Sequence, residues 1–299
     1  MGKKKRFRWS IFTEFLCVVP AVAMVILITY YPLADLVRIS FTDWDLLRRD
    51  YNYVWFKNWK WFFENAKGNY FFADLKTTLV YTFWSLVISL ALGMLLAVLM
   101  RRMTRSFSVM RAIIFMPRYV AMSTAGIIFV WMLNTDYGIV NNVIDFLGGQ
   151  RLPWLTLPVM AMLSVLLLTG WHSVGYSMMI YLSAMTGIPA SYYEAASLDG
   201  ATEVQQFWKI TVPLLSPTSL FLLVTTFISS MKVYNAIDVL TEGGPYRSTE
   251  VMVYLIYRLA FMDYRVDRAA VVAFVFFLIL LVVTLLTMRW SENKVVYDS

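Results

Sequence analysis

Long apolar runs alternate with shorter polar segments along the whole chain. Six of these runs contain about 20 residues or more, the length that an α-helix needs to cross the hydrocarbon layer of a bilayer. They lie at approximately residues 14–33, 77–100, 112–133, 157–184, 218–238 and 269–288. The pattern predicts an all-α integral membrane protein with six transmembrane helices.

The composition supports a membrane protein and excludes an ordinary soluble domain. Of the 299 residues, 60% are hydrophobic and 15% are charged, whereas soluble domains have about 45–50% apolar and about 25% charged residues. The net charge of +7 comes from short basic clusters beside the apolar runs, which is typical of topology signals and not of a nucleic-acid surface. We therefore expect the lipid bilayer, and no nucleic acid, as a partner.

Basic clusters also predict the orientation of the helices. One cluster precedes the first run and another connects the second run to the third; they contain Lys3, Lys4, Lys5, Arg6 and Arg8, and Arg101, Arg102, Arg105 and Arg111. Because cytoplasmic loops are enriched in Lys and Arg, both clusters, both termini and the segment 186–217 are predicted to be cytosolic. The first run continues past the roughly 7–15 residues of a signal-peptide core, so we expect it to be retained as a span.

The sequence lacks the motifs that mark enzymes and metal sites. It has no Walker A motif for nucleotide binding, no serine in a G-x-S-x-G elbow, and a single histidine, His172. We therefore expect no enzymatic activity, no metal and no cofactor bound by this chain. Every loop is shorter than the roughly 50–200 residues of a separate domain, so residues 1–299 are predicted to form one transmembrane domain.

The predicted cytosolic segment between the fourth and fifth runs has the pattern of two short helices joined by a turn. Ser191 is a suitable cap for a first helix with Glu194 in its first turn, and Gly200 suits the sharp turn that follows. A second amphipathic helix is predicted at residues 202–211, ending before Pro213. Its apolar side chains exceed what a solvated linker needs, and they are Val204, Phe207, Trp208 and Ile210. The segment is therefore predicted to dock on a partner.

The same segment resembles the signature of the inner-membrane permeases of binding-protein-dependent ABC importers for maltose, other oligosaccharides and glycerol phosphate. That signature is E-A-A, three residues, G, nine residues and I-x-L-P. Here it reads Glu194-Ala195-Ala196, Gly200 and Ile210-Thr211-Val212-Pro213, with valine in place of leucine. The resemblance implies that the loop couples the permease to ATPase subunits. The residues that it assigns to this coupling are Glu194, Ala195, Ala196, Asp199, Gly200, Ile210 and Pro213.

The resemblance covers nearly the whole chain. Met116-Pro117 through Trp131 is similar to the family's third span, and Leu240-Thr241-Glu242-Gly243-Gly244-Pro245 is similar to the turn after its fifth. The family implies the type I ABC importer permease fold in a bacterial inner membrane. Its implied partners are a second, different permease subunit, two ATPase subunits that bind ATP and Mg, and an extracytoplasmic solute-binding protein. Its implied substrate is a sugar or oligosaccharide, which enters the cytosol by alternating access.

The rival interpretation is an ion-coupled secondary transporter of a small polar solute. Such a carrier needs ionisable residues inside the membrane to hold the coupling ion. Among acidic residues, only Glu14, Asp238 and residues near the ends of the runs qualify. This scarcity favours the ATP-driven importer.

The fourth run contains a polar, glycine-bearing patch, which belongs in a cavity and not in lipid. Interrupted helices near the membrane midplane form the substrate site of many transporters, whereas small residues also let helices pack closely. Both interpretations stay open for Gly170 and Gly175. The substrate path is favoured for the larger polar and aromatic residues of the patch, Trp171, Ser173 and Tyr176.

Polar residues recur every four positions in the fifth run, so they share roughly one face of a helix. They are Thr226, Ser230, Tyr234 and Asp238. Aromatic rings stack on sugar rings and hydroxyls pair with sugar hydroxyls, so Thr226, Ser230 and Tyr234 are also assigned to the substrate path. The resemblance maps the family's ligand positions most closely to Ser173, Tyr176, Thr226 and Ser230.

Four ionisable residues near the predicted spans need separate interpretations. Arg118 lies just inside the third run, where a lipid-facing guanidinium costs about 2.5–3.5 kcal/mol; we expect it to snorkel to the cytosolic surface, with the cavity as the alternative. Lys232 lies off the polar stripe and could pair with a partner subunit. Asp238 is expected at the hydrated outer rim, and His172 is expected to be a hydrogen-bonded cavity residue and not a proton relay.

Overall fold

A computed structural model describes residues 15–64, 68, 70–101 and 104–292, and the regular structure within these ranges is helical. A single isolated bridge in the described chain joins Thr42 to Tyr53. The helices are α1 (Phe15–Ile39), α2 (Lys57–Glu64), α3 (Phe71–Leu99), α4 (Arg105–Tyr119), α5 (Met122–Met132), α6 (Ile139–Phe146), α7 (Pro158–Thr186), α8 (Ala190–Leu198), α9 (Glu203–Leu214), α10 (Ser216–Met231), α11 (Asn235–Leu240), α12 (Met252–Met262) and α13 (Val266–Glu292).

The predicted architecture of six apolar helical segments is confirmed for the described chain. Helices α1, α3, α7 and α13 are each long and apolar enough to cross a membrane, and two bent pairs, α4 with α5 and α9 with α10, account for the other two segments. Helix α1 continues to Ile39 and α3 begins at Phe71, so both are longer than the apolar runs. The helical hydrogen-bond pattern does not depend on apolar residues, and hydropathy therefore misses polar turns at helix ends.

Several residues on which the orientation depends lie outside the described part of the chain. They are the N-terminal basic cluster and Arg102. Glu14, the acidic residue considered for an ion-coupled carrier, also lies outside the described part. The cytosolic placement of both termini and of the segment 186–217 therefore stays a prediction.

The third predicted span is broken near its middle. A 3₁₀ turn, Met116–Tyr119, ends α4, and Val120 and Ala121 have extended backbone before α5 begins. The two halves make an angle of 101°. Arg118 therefore lies at an internal break of this span and not at the end of a continuous helix.

The fifth predicted span is also interrupted, whereas the sequence pattern predicted one continuous helix. Helix α10 starts at Ser216, makes an angle of 63° with α9 and ends at Met231. Tyr234 has non-helical backbone, with φ −140° and ψ −63°, and a separate helix, α11, follows it. The prediction of one continuous polar face from Thr226 to Asp238 is therefore wrong after Ser230, because the periodicity of four residues applies only while the helix lasts.

The chain divides into two compact units, and each is considered by itself. The first comprises Met1–Asn69 with Ile256–Phe277, and the second comprises Tyr70–Leu255 with Leu278–Ser299. The prediction of one transmembrane domain for the whole chain stays a prediction.

In the first unit, the segment after α1 is held by side chains of α2 and by the start of α13. The Asn58 amide donates hydrogen bonds to the carbonyl oxygens of Ser40 and Thr42, at 3.1 and 2.7 Å. The backbone N–H of Asp267 donates to the carbonyl oxygen of Trp44 at 3.2 Å. These bonds satisfy backbone groups that lie outside regular structure.

In the second unit, α7 is the central helix and contacts α3, α4, α5, α10 and α11. A hydrophobic core surrounds its C-terminal half and contains Ala97, Met100, Met178, Tyr181, Leu182, Leu215 and Leu222. Close approach of α3 and α7 depends on Gly93, because a Cβ added there would lie 2.6 Å from the Ser177 Cβ. The hydroxyls of Ser89 and Ser177 share a hydrogen bond of 2.6 Å next to this contact. Polar bonds of this kind stabilise helix pairs where no water can compete.

Candidate functional site

Two features of the second unit are candidates for function: the loop helices α8 and α9, and a polar cavity beside α7. Helix α8 starts at Ala190, and its N-cap is Pro189 with extended backbone. Ser191 therefore lies inside the helix and does not cap it, and Glu194 lies beyond the first turn, both contrary to prediction. Pro189 suits the position before the helix because its ring fixes φ and it has no N–H to leave unpaired.

Gly200 forms the turn between α8 and α9, as predicted. Its φ is +79°, a conformation that costs an L-residue with a side chain about 1–2 kcal/mol. The N–H of Gly200 donates to the Ser197 carbonyl, and the N–H of Ala201 donates to the Ala196 carbonyl, at 3.1 and 2.9 Å. No atom lies within 4 Å of a Cβ added at Gly200, so the requirement for glycine is conformational.

Helix α9 begins with a capping box and continues through Pro213, contrary to the prediction that it ends before that residue. Thr202 caps it, with reciprocal hydrogen bonds between Thr202 and Gln205. The turn Phe207–Thr211 is a π-helix in which the Val212 N–H bonds to the Phe207 carbonyl. The π-helical turn shifts the backbone hydrogen-bond register before Pro213. Pro213 then lies in the first positions of the last short turn, where its missing N–H is tolerated.

Side-chain hydrogen bonds join the two loop helices. The Tyr193 hydroxyl bonds to the Thr211 hydroxyl, and the Gln206 amide donates to the Ser197 hydroxyl, both at 2.9 Å. These bonds link residues at both ends of the signature, so the E-A-A segment and the I-x-x-P segment are held together as one body.

Apolar side chains of this loop pair remain exposed. Leu198 is 90% exposed, Val204 68% and Trp208 63%. Val204, Phe207 and Trp208 also line an open apolar groove of about 840 Å³ that includes Leu95 of α3 and Leu220 of α10. Helix α8 and the first part of α9 lie outside the predicted spans, so their exposed apolar side chains indicate an interaction site.

The polar cavity has a volume of about 430 Å³, within the range of about 300–1,000 Å³ typical of small-molecule sites. Helices α3, α7 and α10, the break in the third span and the segment after α10 form its wall. Its lining residues are Tyr81, Ser85, Ser89, Arg118, Met122, Thr169, His172, Ser173, Tyr176, Thr225, Thr226, Ser229, Ser230, Lys232, Val233, Tyr234, Asn235 and Ala236.

The structure brings five of the six predicted substrate-path residues to this cavity. They are Ser173, Tyr176, Thr226, Ser230 and Tyr234. Trp171 does not line it; the indole is 44% exposed and its ring centre lies 5.5 Å from that of Phe129. Tyr234 reaches the cavity from non-helical backbone, so its place there does not follow from the helical face on which it was predicted.

The two glycines of the polar patch serve close packing. Helix α7 is continuous from Pro158 to Thr186, so the patch does not interrupt it. A Cβ added at Gly175 would collide with the carbonyl oxygen of Ile114, and one added at Gly170 would lie 3.0 Å from the Ile88 Cγ2. Of the two interpretations left open by the sequence, the structure supports helix packing for both residues.

Arg118 lines the cavity, contrary to the expectation that it snorkels to the surface. Its guanidinium carbon lies 5.2 Å from the centre of the Tyr176 ring, within the range of a cation–π interaction. The break after Tyr119 is the physical reason, because it directs the 3₁₀ turn towards α7. The His172 ring N–H donates to the Val120 carbonyl at 3.2 Å and so satisfies a backbone group at the break.

The hydroxyl groups of the cavity fall into two classes. The Ser230 hydroxyl donates to that of Ser85 at 2.9 Å, and Ser230 is buried. The hydroxyls of Ser173, Tyr176 and Thr226 form no hydrogen bond with any described residue. Helical Ser and Thr commonly bond to the carbonyl one turn earlier, but Ser173 and Thr226 form no such bond with the described residues. Their hydroxyls and that of Tyr176 are therefore available to a ligand, and that of Ser230 is less so.

Sequence reasoning missed the contribution of α3 to the cavity. Tyr81, Ser85 and Ser89 recur every four residues in the second run and all line the cavity. The periodicity test that found the polar face of the fifth run would have found them too. Lys232 and Asn235 could not be placed in this way, because they lie where the helical periodicity has ended.

The turn after α11 is held by a buried cluster of charges. Gly243 has φ +78°, and a Cβ there would lie 3.0 Å from the Tyr254 ring. The Arg247 guanidinium bonds to Asp74 at 3.0 Å and lies 2.9 Å from the Glu250 carboxylate. Both acidic side chains are 2% exposed, so one guanidinium lies between two buried carboxyl groups and fixes this turn to α3.

Comparison with known proteins gives consistent matches over the chain. A family model described as "Binding-protein-dependent transport system inner membrane component" matches residues 89–296. The chain is 31% identical over 283 residues to the "Probable ABC transporter permease protein YurN" of Bacillus subtilis (strain 168), covering 93% of this chain and 96% of that protein. It is 28% identical over 284 residues to the sn-glycerol-3-phosphate transport system permease protein UgpA of Agrobacterium fabrum (strain C58), covering 95% and 96%.

A solved structure with the same fold is a chain of a bacterial alginate ABC transporter in complex with an alginate pentasaccharide-bound periplasmic protein. The TM-score is 0.80 with 23% sequence identity, and the match covers 97% of this chain and 96% of that chain. At this level of identity the likeness shows the fold.

Proposed function

Because the chain belongs to the inner membrane components of binding-protein-dependent transport systems, we propose that it passes a sugar or oligosaccharide into the cytosol as one permease subunit of an ABC importer. The observation that carries this proposal is the exposed pair of helices α8 and α9, which holds the family signature on a rigid body with an apolar surface. Sugars are the favoured class because the cavity combines aromatic rings with free hydroxyls.

The energy for transport comes from separate subunits. The chain has no nucleotide-binding motif, so two ATPase subunits hold ATP and Mg and dock on α8 and α9 from the cytosolic side. Glu194, Ala195 and Asp199 are exposed on this body and are available for contacts. The coupling residues are Glu194, Ala195, Ala196, Asp199, Gly200, Ile210 and Pro213.

The substrate path runs through the polar cavity. Ser173, Tyr176, Thr226, Ser230 and Tyr234 form its predicted ligands, and the aromatic rings stack on the apolar faces of a sugar. A second, different permease subunit closes the open side of the path. The solute-binding protein delivers the substrate from outside, in line with the periplasmic protein found in the alginate transporter complex.

The arrangement in the membrane follows from the same proposal. The chain spans a bacterial inner membrane several times, and both termini and the α8–α9 body lie in the cytosol. ATP binding to the ATPase subunits on the cytosolic side then switches the cavity between outward and inward exposure.

Purification of an affinity-tagged chain from its native host tests the proposal. We expect ATPase subunits and a second permease to copurify, and the four-part complex to hydrolyse ATP faster when the binding protein and its sugar are added. The tagged chain purified alone should hydrolyse none. Isolation of the chain as a stable oligomer of itself, with no other subunit and with full transport activity, would contradict the proposal.

A further inference from the structure

Two cationic side chains line the cavity without an acidic counterpart. Arg118 and Lys232 both belong to its wall, and the described residues that line it include no Asp or Glu. Neither side chain forms an ion pair with a described residue. The cavity therefore has two positive charges that the described part of the chain leaves uncompensated.

Ionisable groups within membrane spans usually pair with one another or with backbone carbonyls, and they mark substrate and ion pathways. Both cations are exposed in this chain, so they are open to a ligand in the cavity. Arg118 is held by the ring of Tyr176, and this contact directs the guanidinium without cancelling its charge. Lys232 caps the C-terminal end of α10, where the helix dipole favours a cation. The dipole therefore offsets part of the cost of placing Lys232 in the cavity. Arg118 has no such compensation from α10.

A third feature adds positive potential at the same place. Helix α5 begins at Met122, which lines the cavity, and the N-terminal end of a helix carries partial positive charge from unpaired N–H groups. The three sources of positive potential come from separate segments of the chain: the 3₁₀ turn, the start of α5 and the end of α10.

We infer that the cavity accepts an anionic saccharide, with an oxyanion on the sugar recognised by Arg118 and Lys232. This inference rests on the proposed function and specifies its substrate class. The guanidinium has a donor geometry that fits carboxylate and phosphate oxygens in pairs. The free hydroxyls of Ser173, Tyr176 and Thr226, with the Asn235 amide, are placed to bond to the sugar hydroxyls of the same ligand.

Carboxylate and phosphate are the two sources of such an oxyanion, and uptake assays on the reconstituted complex distinguish them. The probes are radiolabelled digalacturonate, its neutral dimethyl ester, and galactose 1-phosphate, each supplied with the complete complex in proteoliposomes containing ATP. We expect uptake of at least one anionic probe and none of the neutral ester, which has the same rings. Uptake of digalacturonate indicates a carboxylate, and uptake of galactose 1-phosphate indicates a phosphate.

Substitution of each cation then locates the recognition. Arg118→Gln and Lys232→Gln should each lower uptake of the anionic probe by roughly tenfold or more, the loss expected for one charged hydrogen bond, and Arg118→Lys should restore part of it. Lys57→Gln is the matched control, because it removes one exposed cation on α2, outside the cavity. Rates are normalised to the amount of assembled complex, so that loss of folding is separated from loss of recognition.

Three outcomes overturn the inference, and they are distinguishable from failure of the proposed function. ATP-driven uptake of the neutral ester with exclusion of both anions contradicts the inference and leaves an ABC sugar importer in place. Unchanged uptake by both Gln variants contradicts the assignment of the two cations. Absence of ATP-driven uptake of any saccharide contradicts the proposed function and the inference with it.

Discussion

Arg118 and Tyr176 lie against each other across the break in the third span, with the guanidinium carbon 5.2 Å from the centre of the tyrosine ring. The contact joins a 3₁₀ turn to the central helix α7 and directs both side chains into the polar cavity. It places an aromatic surface next to a charge, an arrangement suited to a sugar that carries an anionic group.

Replacement of Tyr176 tests this contact. Tyr176→Ala should lower ATP-dependent sugar uptake roughly fivefold to thirtyfold, since a cation–π contact of about 1–2 kcal/mol is lost. Tyr176→Phe keeps the ring and should lose less. Trp171→Ala, which changes an aromatic residue of the same helix outside the cavity, is the control. An equal loss of assembled complex and of uptake in Tyr176→Ala would show that the residue serves packing.

Gly200 is required for its backbone conformation and not because a side chain would clash there. Gly200→Val should abolish uptake and weaken retention of the ATPase subunits, because φ +79° is strained for a β-branched residue by about 1–2 kcal/mol or more. Gly200→Asn should retain most of both, since asparagine tolerates this conformation. Copurification of the ATPase and uptake rates measure the two effects. Normal coupling in Gly200→Val would show that the turn does not position α8 against α9.

Gly170 and Gly175 of α7 differ from Gly200, because a side chain at either position would meet a neighbouring helix. Gly175→Ala should reduce the yield of folded protein strongly, since the new Cβ would meet the backbone carbonyl of Ile114. Gly170→Ala should be milder, because its neighbour is the movable end of the Ile88 side chain. Thermal unfolding in detergent, followed by size-exclusion chromatography, measures the difference. Equal stability of the two variants would rule out close packing of α7 on Ile114.

The buried charge cluster at Arg247 predicts a large effect on stability. Arg247→Met should destabilise the protein by about 3–5 kcal/mol, because it leaves Asp74 and Glu250 without their shared cation in a buried place. Lys60→Met is the control: its ion pair with Glu64 is exposed on both sides, so the expected cost is about 0–1 kcal/mol. The unfolding temperatures of the two variants should therefore differ clearly. A similar small shift for both would mean that the cluster does not hold the turn.

Apolar run length predicted the membrane class and the number of helical segments, since both follow from bilayer thickness and hydropathy alone. Residue spacing also predicted two residues of the cavity wall, because polar positions four apart stay on one face while a helix continues. Thr226 and Ser230 lie on α10, where that condition holds.

The other residues of the cavity wall depend on where helices end, and hydropathy says little about the positions of helix ends. The break at Val120 and the end of α10 at Met231 both fall inside apolar sequence. Each break brings a charged residue to the cavity, Arg118 in one case and Lys232 in the other. Hydropathy alone therefore did not place either residue at the cavity, although the cavity was the alternative considered for Arg118.

The energy source is the central claim, and transport in proteoliposomes tests it most directly. An ion-coupled carrier draws on the membrane potential, worth about 2.3 kcal/mol per charge per 100 mV, and holds its ion at an ionisable site in the membrane; the described cavity wall contains no acidic residue for that purpose. Vesicles containing this chain, its sister permease, the ATPase subunits and the binding protein should accumulate sugar with ATP and without any ion gradient. Uptake by this chain alone, driven by a pH or sodium gradient and indifferent to ATP, would contradict the account.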